Sequence, residues 1–156
     1  MIARIGWVLP SITISLSTIL HIISGEYRAF PFFISETDYP GLQRIIFTGG
    51  LCITGILVVI ISWKLFVKNK SKTRWYWMEL SMLSGVFAGI NISLMSFMDM
   101  YDHLDMHITT SMNVFYFGLG WCFTTHLAMK HGNEKGKRFR YACLLYTSPS
   151  PRDGFT

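Results

Sequence analysis

Charge is scarce in this 156-residue chain: Asp, Glu, Lys and Arg make up only 15% of it. Four stretches, residues 5–24, 45–67, 78–98 and 108–129, hold only Lys64 and Glu79 between them. A water-soluble helical protein needs polar faces recurring with the 3.6-residue helical period. Residues 51–63 (LCITGILVVIISW) have no such face, which argues against that class. Proline is equally sparse, at five residues, and only Pro10 falls inside one of the stretches. The three cysteines do not make a disulfide framework: Cys52 and Cys122 lie within apolar stretches and read as small apolar residues. Also missing are a nucleophile elbow, an H-E-x-x-H metal helix, a phosphate loop and a dinucleotide fingerprint.

Hydrocarbon is what the chain has in quantity. Apolar residues make up 51%, and the mean hydropathy is +0.36. At 1.5 Å per residue, each stretch of about 20 residues reaches roughly 30 Å, the thickness of a bilayer core. The expected fold class is therefore all-α: an integral membrane helical bundle with four transmembrane helices in one domain, residues 1–142. Arg4 precedes the first stretch, Lys64, Lys68, Lys70, Lys72 and Arg74 lie around the second connector, and Lys130, Lys135, Lys137, Arg138 and Arg140 follow the fourth stretch. The other two connectors carry Glu26, Glu36, Asp38, Asp99, Asp102 and Asp105, with Arg28 and Arg44 the basic exceptions. The positive-inside rule then puts the N-terminus and the 2–3 connector in the cytoplasm. The net charge of +5 reads as topology, so nucleic acid is not an expected partner. Lys68, Lys70, Lys72 and Arg74 are candidate contacts for anionic phospholipid. The first stretch, longer than the 7–15 residues of a signal-peptide core, reads as a signal anchor.

Residues 143–153 (CLLYTSPSPRD) are similar to a translated transposase sequencing adapter, so residues 143–156 are expected to be non-native. On that reading the natural chain runs past about Ala142.

Packing signals are strongest in the third stretch, where Ser81, Gly85, Gly89 and Ser93 recur every four residues. Such small residues let helices approach closely; the ridge serves packing against stretches 2 or 4, or a homodimer seam. Asn91, at similar depth, needs a partner inside the bundle. Gly49, Gly50, Gly55, Gly118 and Gly120 suit the same close packing. In the first stretch Ser11, Ser15 and Thr18 share a face and are read as the face turned to a neighbouring helix or, alternatively, to a polar path.

Chemistry-bearing residues gather at 99–107, where Asp99, Asp102, His103, Asp105 and His107 fall close together. They read either as a solvated connector or as acid, base or metal-ligating groups acting on a lipid headgroup. Were the chain an enzyme, Asp99, Asp102, His103 and His107 would be its catalytic candidates. Haem is not expected, because His126 has no intramembrane histidine to match it in depth. No cofactor and no metal are assigned.

The connector Pro31-Phe-Phe-Ile-Ser-Glu-Thr37, directly after the first stretch, resembles the P-x-I-S-D-T signature of the DRAM/Frag/Sfk family of six-pass membrane proteins. Glu36 stands where that signature has Asp. A second similarity runs from Gly89-Ile-Asn91 through Asp99 to His107, without the family's His-Asp order. The resemblance covers roughly residues 5–130 and implies that these are four helices of six, with Pro31, Ile34, Ser35, Glu36 and Thr37 as the loop signature. It implies a non-enzymatic role in autophagy or membrane lipid homeostasis, in lysosome, Golgi, ER or plasma membrane. GPI-anchor lipid remodelling, as an enzyme or a subunit, and small-solute transport are the alternatives.

Overall fold

The computed structural model describes residues 2–27, 34–73, 75–129 and 138; Pro31, Arg74 and the tail at 143–156 lie outside them. The elements are α1 (Ile2–Ser24), a 3-10 turn (Ile34–Asp38), α2 (Leu42–Asn69), a second 3-10 turn (Lys70–Lys72), α3 (Trp75–Phe97) and α4 (Leu104–Ala128). The all-α class holds among the described residues. Each helix starts three or four residues ahead of its apolar stretch, because the first turn forms from connector residues such as Gln43 and Asp105 that hydropathy does not score.

Three helical segments are long and apolar enough to cross a membrane: Ile2–Ser24, Leu42–Lys72 and Tyr76–Phe97. The sequence reading expected four. With 25 residues α4 has the length, but Thr109, Thr110, Ser111, Asn113, Thr124, Thr125 and His126 dilute its hydropathy.

The helices stand in a row in chain order. α2 packs on α1 and α3, and α3 on α2 and α4, whereas the backbone of α1 meets neither α3 nor α4. Close approach explains the tight α2–α3 seam. A Cβ placed on Gly89 would lie 2.6 Å from the carbonyl oxygen of Gly55, and one on Gly55 would strike Gly89 and Ser93 in return. Gly85 meets Ser62 in the same seam, while Ser81 turns to α4, its hydroxyl 2.6 Å from that of Thr125. The small-residue ridge of α3 thus serves contacts within the chain. Asn91 accepts a hydrogen bond from Asn113 Nδ2 at 3.2 Å and donates to the Phe87 carbonyl at 2.8 Å. Not every glycine is used this way. Gly49 and Gly118 have nothing within 4 Å of an added Cβ, and Gly120 has only an ordinary contact with Ser84.

The face of α1 turned to α2 also differs from the expected one. Thr13, Ser17 and His21 are buried, while Ser11 and Ser15 are exposed. Thr13 sets this phase by sitting against Gly50. Ser17 fixes it, its hydroxyl placed to donate to the carbonyls of Thr37 at 3.1 Å and Gln43 at 3.0 Å.

Burial in this row is inverted relative to a water-soluble fold. The wholly buried apolar residues are few (Phe47, Leu51, Met78, Ala88, Ala128), yet Thr13, Ser17, His21, Thr54, Ser62, Ser81, Ser96, Thr110 and Thr124 are buried as well. Trp7, Ile23, Ile45 and Phe115 are each more than 60% exposed. Ser17 and Ser81 apart, buried hydroxyls such as Thr54, Ser62, Ser96, Thr110 and Thr124 donate back along their own helices, Thr54 to Gly50 and Ser62 to Val58, both at 2.8 Å.

Candidate functional site

Polar side chains converge at the end of the row where α1 and α3 finish and α2 and α4 begin. The Pro40-Gly41 corner reverses the chain there. Gly41 adopts φ +145°, a conformation that side chains strain, and it leads directly into α2. The reversal lays Asp38, at the end of the Ile34–Asp38 turn, over Arg44 in the first turn of α2.

Arg44 is the hub of this end. Its Nη2 donates to Asp99 Oδ2, and its Nε lies 4.0 Å from Asp38 Oδ1. One guanidinium therefore faces two carboxylates from two different connectors. Asp99 also accepts from the backbone N–H groups of Tyr101 at 3.0 Å and Asp102 at 2.6 Å, closing the α3–α4 connector on itself. Burial opposes ionisation of Asp99, but these N–H donors and Arg44 outweigh it and hold its pKa below the usual carboxylate value. Asp38 receives no such donors from the backbone. Burial dominates there, assisted by Asp99 and only partly offset by Arg44 and Thr48, and its pKa rises from 3.8 to about 6. With both carboxylates ionised the trio carries one excess negative charge, which a proton on Asp38 removes.

Aromatic contacts brace the same end. His21, fully buried, lies 5.9 Å from Tyr39, and Tyr39 packs edge-on to Tyr101 at 5.4 Å. The Tyr101 hydroxyl donates to the Glu36 carbonyl at 3.1 Å. The Ile34–Asp38 turn is thereby tied to α1 through Ser17, to α2 through Arg44, and to the α3–α4 connector through Tyr101. Glu36, Thr37 and Asp38 are buried, Ser35 is half-buried and Ile34 is exposed.

The candidate catalytic residues do not form one constellation. Asp99 is taken up by Arg44 and its own connector, Asp102 and His103 are exposed, and His107 is buried in the first turn of α4. Among the described residues no group of three or more His, Cys, Asp or Glu side chains is arranged to hold a metal ion. At the opposite end Lys68, Lys70 and Lys72 are exposed, with Lys70 Nζ 5.2 Å above the Phe66 ring. Asp38 and Arg44 were missed as a pair by the sequence reading. The available signal was Arg44 itself, a cation on the acid-rich side against the charge rule, which calls for a carboxylate partner.

The chain carries a pH test of this geometry. Because Asp38 has a higher pKa folded than unfolded, the folded protein takes up a proton that the unfolded chain does not, between about pH 6 and pH 4. The contribution of Asp38 to stability therefore rises as pH falls from 7.5 to 5. Asp38→Asn should be more stable than the parent at pH 7.5, by on the order of 2 kcal/mol, and should lose the difference near pH 4. Thermal melts of both proteins across that range check it; parallel pH profiles would contradict it.

Comparison of the chain with protein-family models, with curated proteins and with solved structures finds no match.

Proposed function

We propose that this chain is a multi-pass integral membrane protein acting without catalysis in membrane lipid homeostasis or autophagy. Its N-terminus and the α2–α3 connector face the cytoplasm, and the Asp38–Arg44–Asp99 cluster holds a loop over the opposite mouth of the helix row. The observation that carries the membrane reading is the inverted burial: threonine, serine and histidine inside, tryptophan, isoleucine and phenylalanine outside. Exposed apolar surface of that extent is costly in water and ordinary in lipid. Hydroxyls turned inward are what helix contacts in lipid use.

The lipid or autophagy role is drawn from the resemblance of Pro31–Thr37 to the DRAM/Frag/Sfk signature, and from the exposed lysines beside the α2–α3 connector. Each such lysine adds about 1 kcal/mol of attraction to an anionic leaflet. In cells depleted of the protein, membrane lipid composition or autophagic flux should shift, and re-expression should restore it. Lys68→Gln/Lys70→Gln/Lys72→Gln should restore it less well at equal abundance. Depletion that changes neither readout would count against the role and leave the membrane reading untouched.

A further inference from the structure

His107 is nearly buried, at 7% exposure, and its Nδ1 lies 2.6 Å from the carbonyl oxygen of Met98. A carbonyl only accepts, so Nδ1 carries a proton, and in the tautomer that this contact selects Nε2 is the acceptor. No hydrogen bond reaches Nε2 from the described residues. The ring lines a groove of about 420 Å³ between the Ile34–Asp38 turn, α2, α3 and α4. That volume falls within the roughly 300–1,000 Å³ of small-molecule sites. Ser111, one helical turn beyond His107, also lines it, and the rest of the wall is largely hydrocarbon, including Phe47, Met95, Met112 and Phe115. Met112 and Phe115 are exposed, so the groove opens onto the apolar surface of α4.

Among the described residues the lining carries no Asp, Glu, Lys or Arg. A charged headgroup would therefore enter hydrocarbon without a fixed counter-charge, which is costly. An uncharged hydroxyl on an aliphatic chain meets both features at once, donating to Nε2 while its chain lies along the apolar wall. We infer that this groove binds one uncharged long-chain lipid, held by a hydroxyl that donates to His107 Nε2. The inference rests on the membrane-lipid role proposed above for the source of the ligand, and on the groove alone for its chemistry.

The test uses the full chain in phosphatidylcholine nanodiscs with three photoreactive probes of equal chain length. These are a monoacylglycerol, a fatty-acid methyl ester with no donor, and a lysophosphatidic acid. Mass spectrometry then maps the labelled residues. The monoacylglycerol should label around Met95 and Met112 about fivefold to tenfold more than the methyl ester, the worth of one hydrogen bond. His107→Phe should bring the two probes level, and His107→Gln, which keeps an acceptor, should retain part of the preference. Met112→Trp, at the exposed rim, should lower labelling with His107 intact. Equal labelling by monoacylglycerol and methyl ester, preference for the phosphate probe, or labelling that avoids the groove would overturn the assignment. A chain that stays monodisperse without lipid or detergent and still shows the His107-dependent preference would support the groove while removing the membrane reading.

Discussion

Arg44→Ala should be among the most damaging single substitutions outside the helix seams. It leaves two carboxylates, Asp38 fully buried and Asp99 nearly so, without their shared cation. Removing one partner from a buried ion pair costs about 3–5 kcal/mol. Arg44 is itself about one-third exposed, so the low end of that range applies, about 3 kcal/mol. In detergent the melting temperature should fall on the order of 10 °C. Arg44→Lys should recover only part, since an ammonium cannot present a planar fork of donors to two carboxylates. Adding Asp38→Asn to Arg44→Ala should recover more, because it removes one of the stranded charges. Arg44→Ala with an unchanged melt would show that the cluster does not hold this end together.

The second large effect belongs to Gly89. A side chain there meets the backbone of Gly55, which cannot rotate away, so α2 and α3 must separate along their length. Ordinary overpacking costs about 1–3 kcal/mol, and forcing apart the seam that joins α1 and α2 to α3 and α4 should exceed it. Gly89→Leu is expected to yield little monodisperse protein, and Gly55→Leu the same. Gly118→Ala supplies the contrast: an added Cβ there meets nothing, and helix propensity favours alanine by up to about 1 kcal/mol. Size-exclusion profiles and melts of the three variants decide it, and a well-behaved Gly89→Leu would contradict the seam.

Helix positions were legible in the sequence because largely uncharged runs of 20 or more residues leave few alternatives. Helix phase was not. In α1 the hydroxyls fall on nearly every side, so spacing permits Ser11/Ser15/Thr18 and Thr13/Ser17/His21 equally. Hydropathy cannot choose between them when both the interior and the surroundings are apolar. The choice was made by Gly50, which admits Thr13, and by the carbonyls of Thr37 and Gln43, which take the Ser17 hydroxyl. The glycines of α2 and α4 were indistinguishable by type, yet Gly50 and Gly55 face a neighbouring helix and Gly49 and Gly118 do not. The acidic end was legible as a concentration of charge but not as a pairing. Arg44 and Asp99 are 55 residues apart, and only the row order of the helices brings them together. Grouping Asp99, Asp102, His103 and His107 by nearness in sequence placed together residues that the α3–α4 connector separates into buried and exposed.

The proposed topology has these helices crossing a bilayer with the α2–α3 connector in the cytoplasm. It is tested most directly by cysteine accessibility in a background with Cys52, Cys122 and Cys143 replaced by serine. Ser71→Cys reports the α2–α3 connector and Asp102→Cys the α3–α4 connector, both at exposed positions. With a membrane-impermeant maleimide on sealed vesicles whose cytoplasmic side faces inward, position 102 should label at once and position 71 only after permeabilisation. Labelling of both positions from the same side of intact vesicles would contradict this topology.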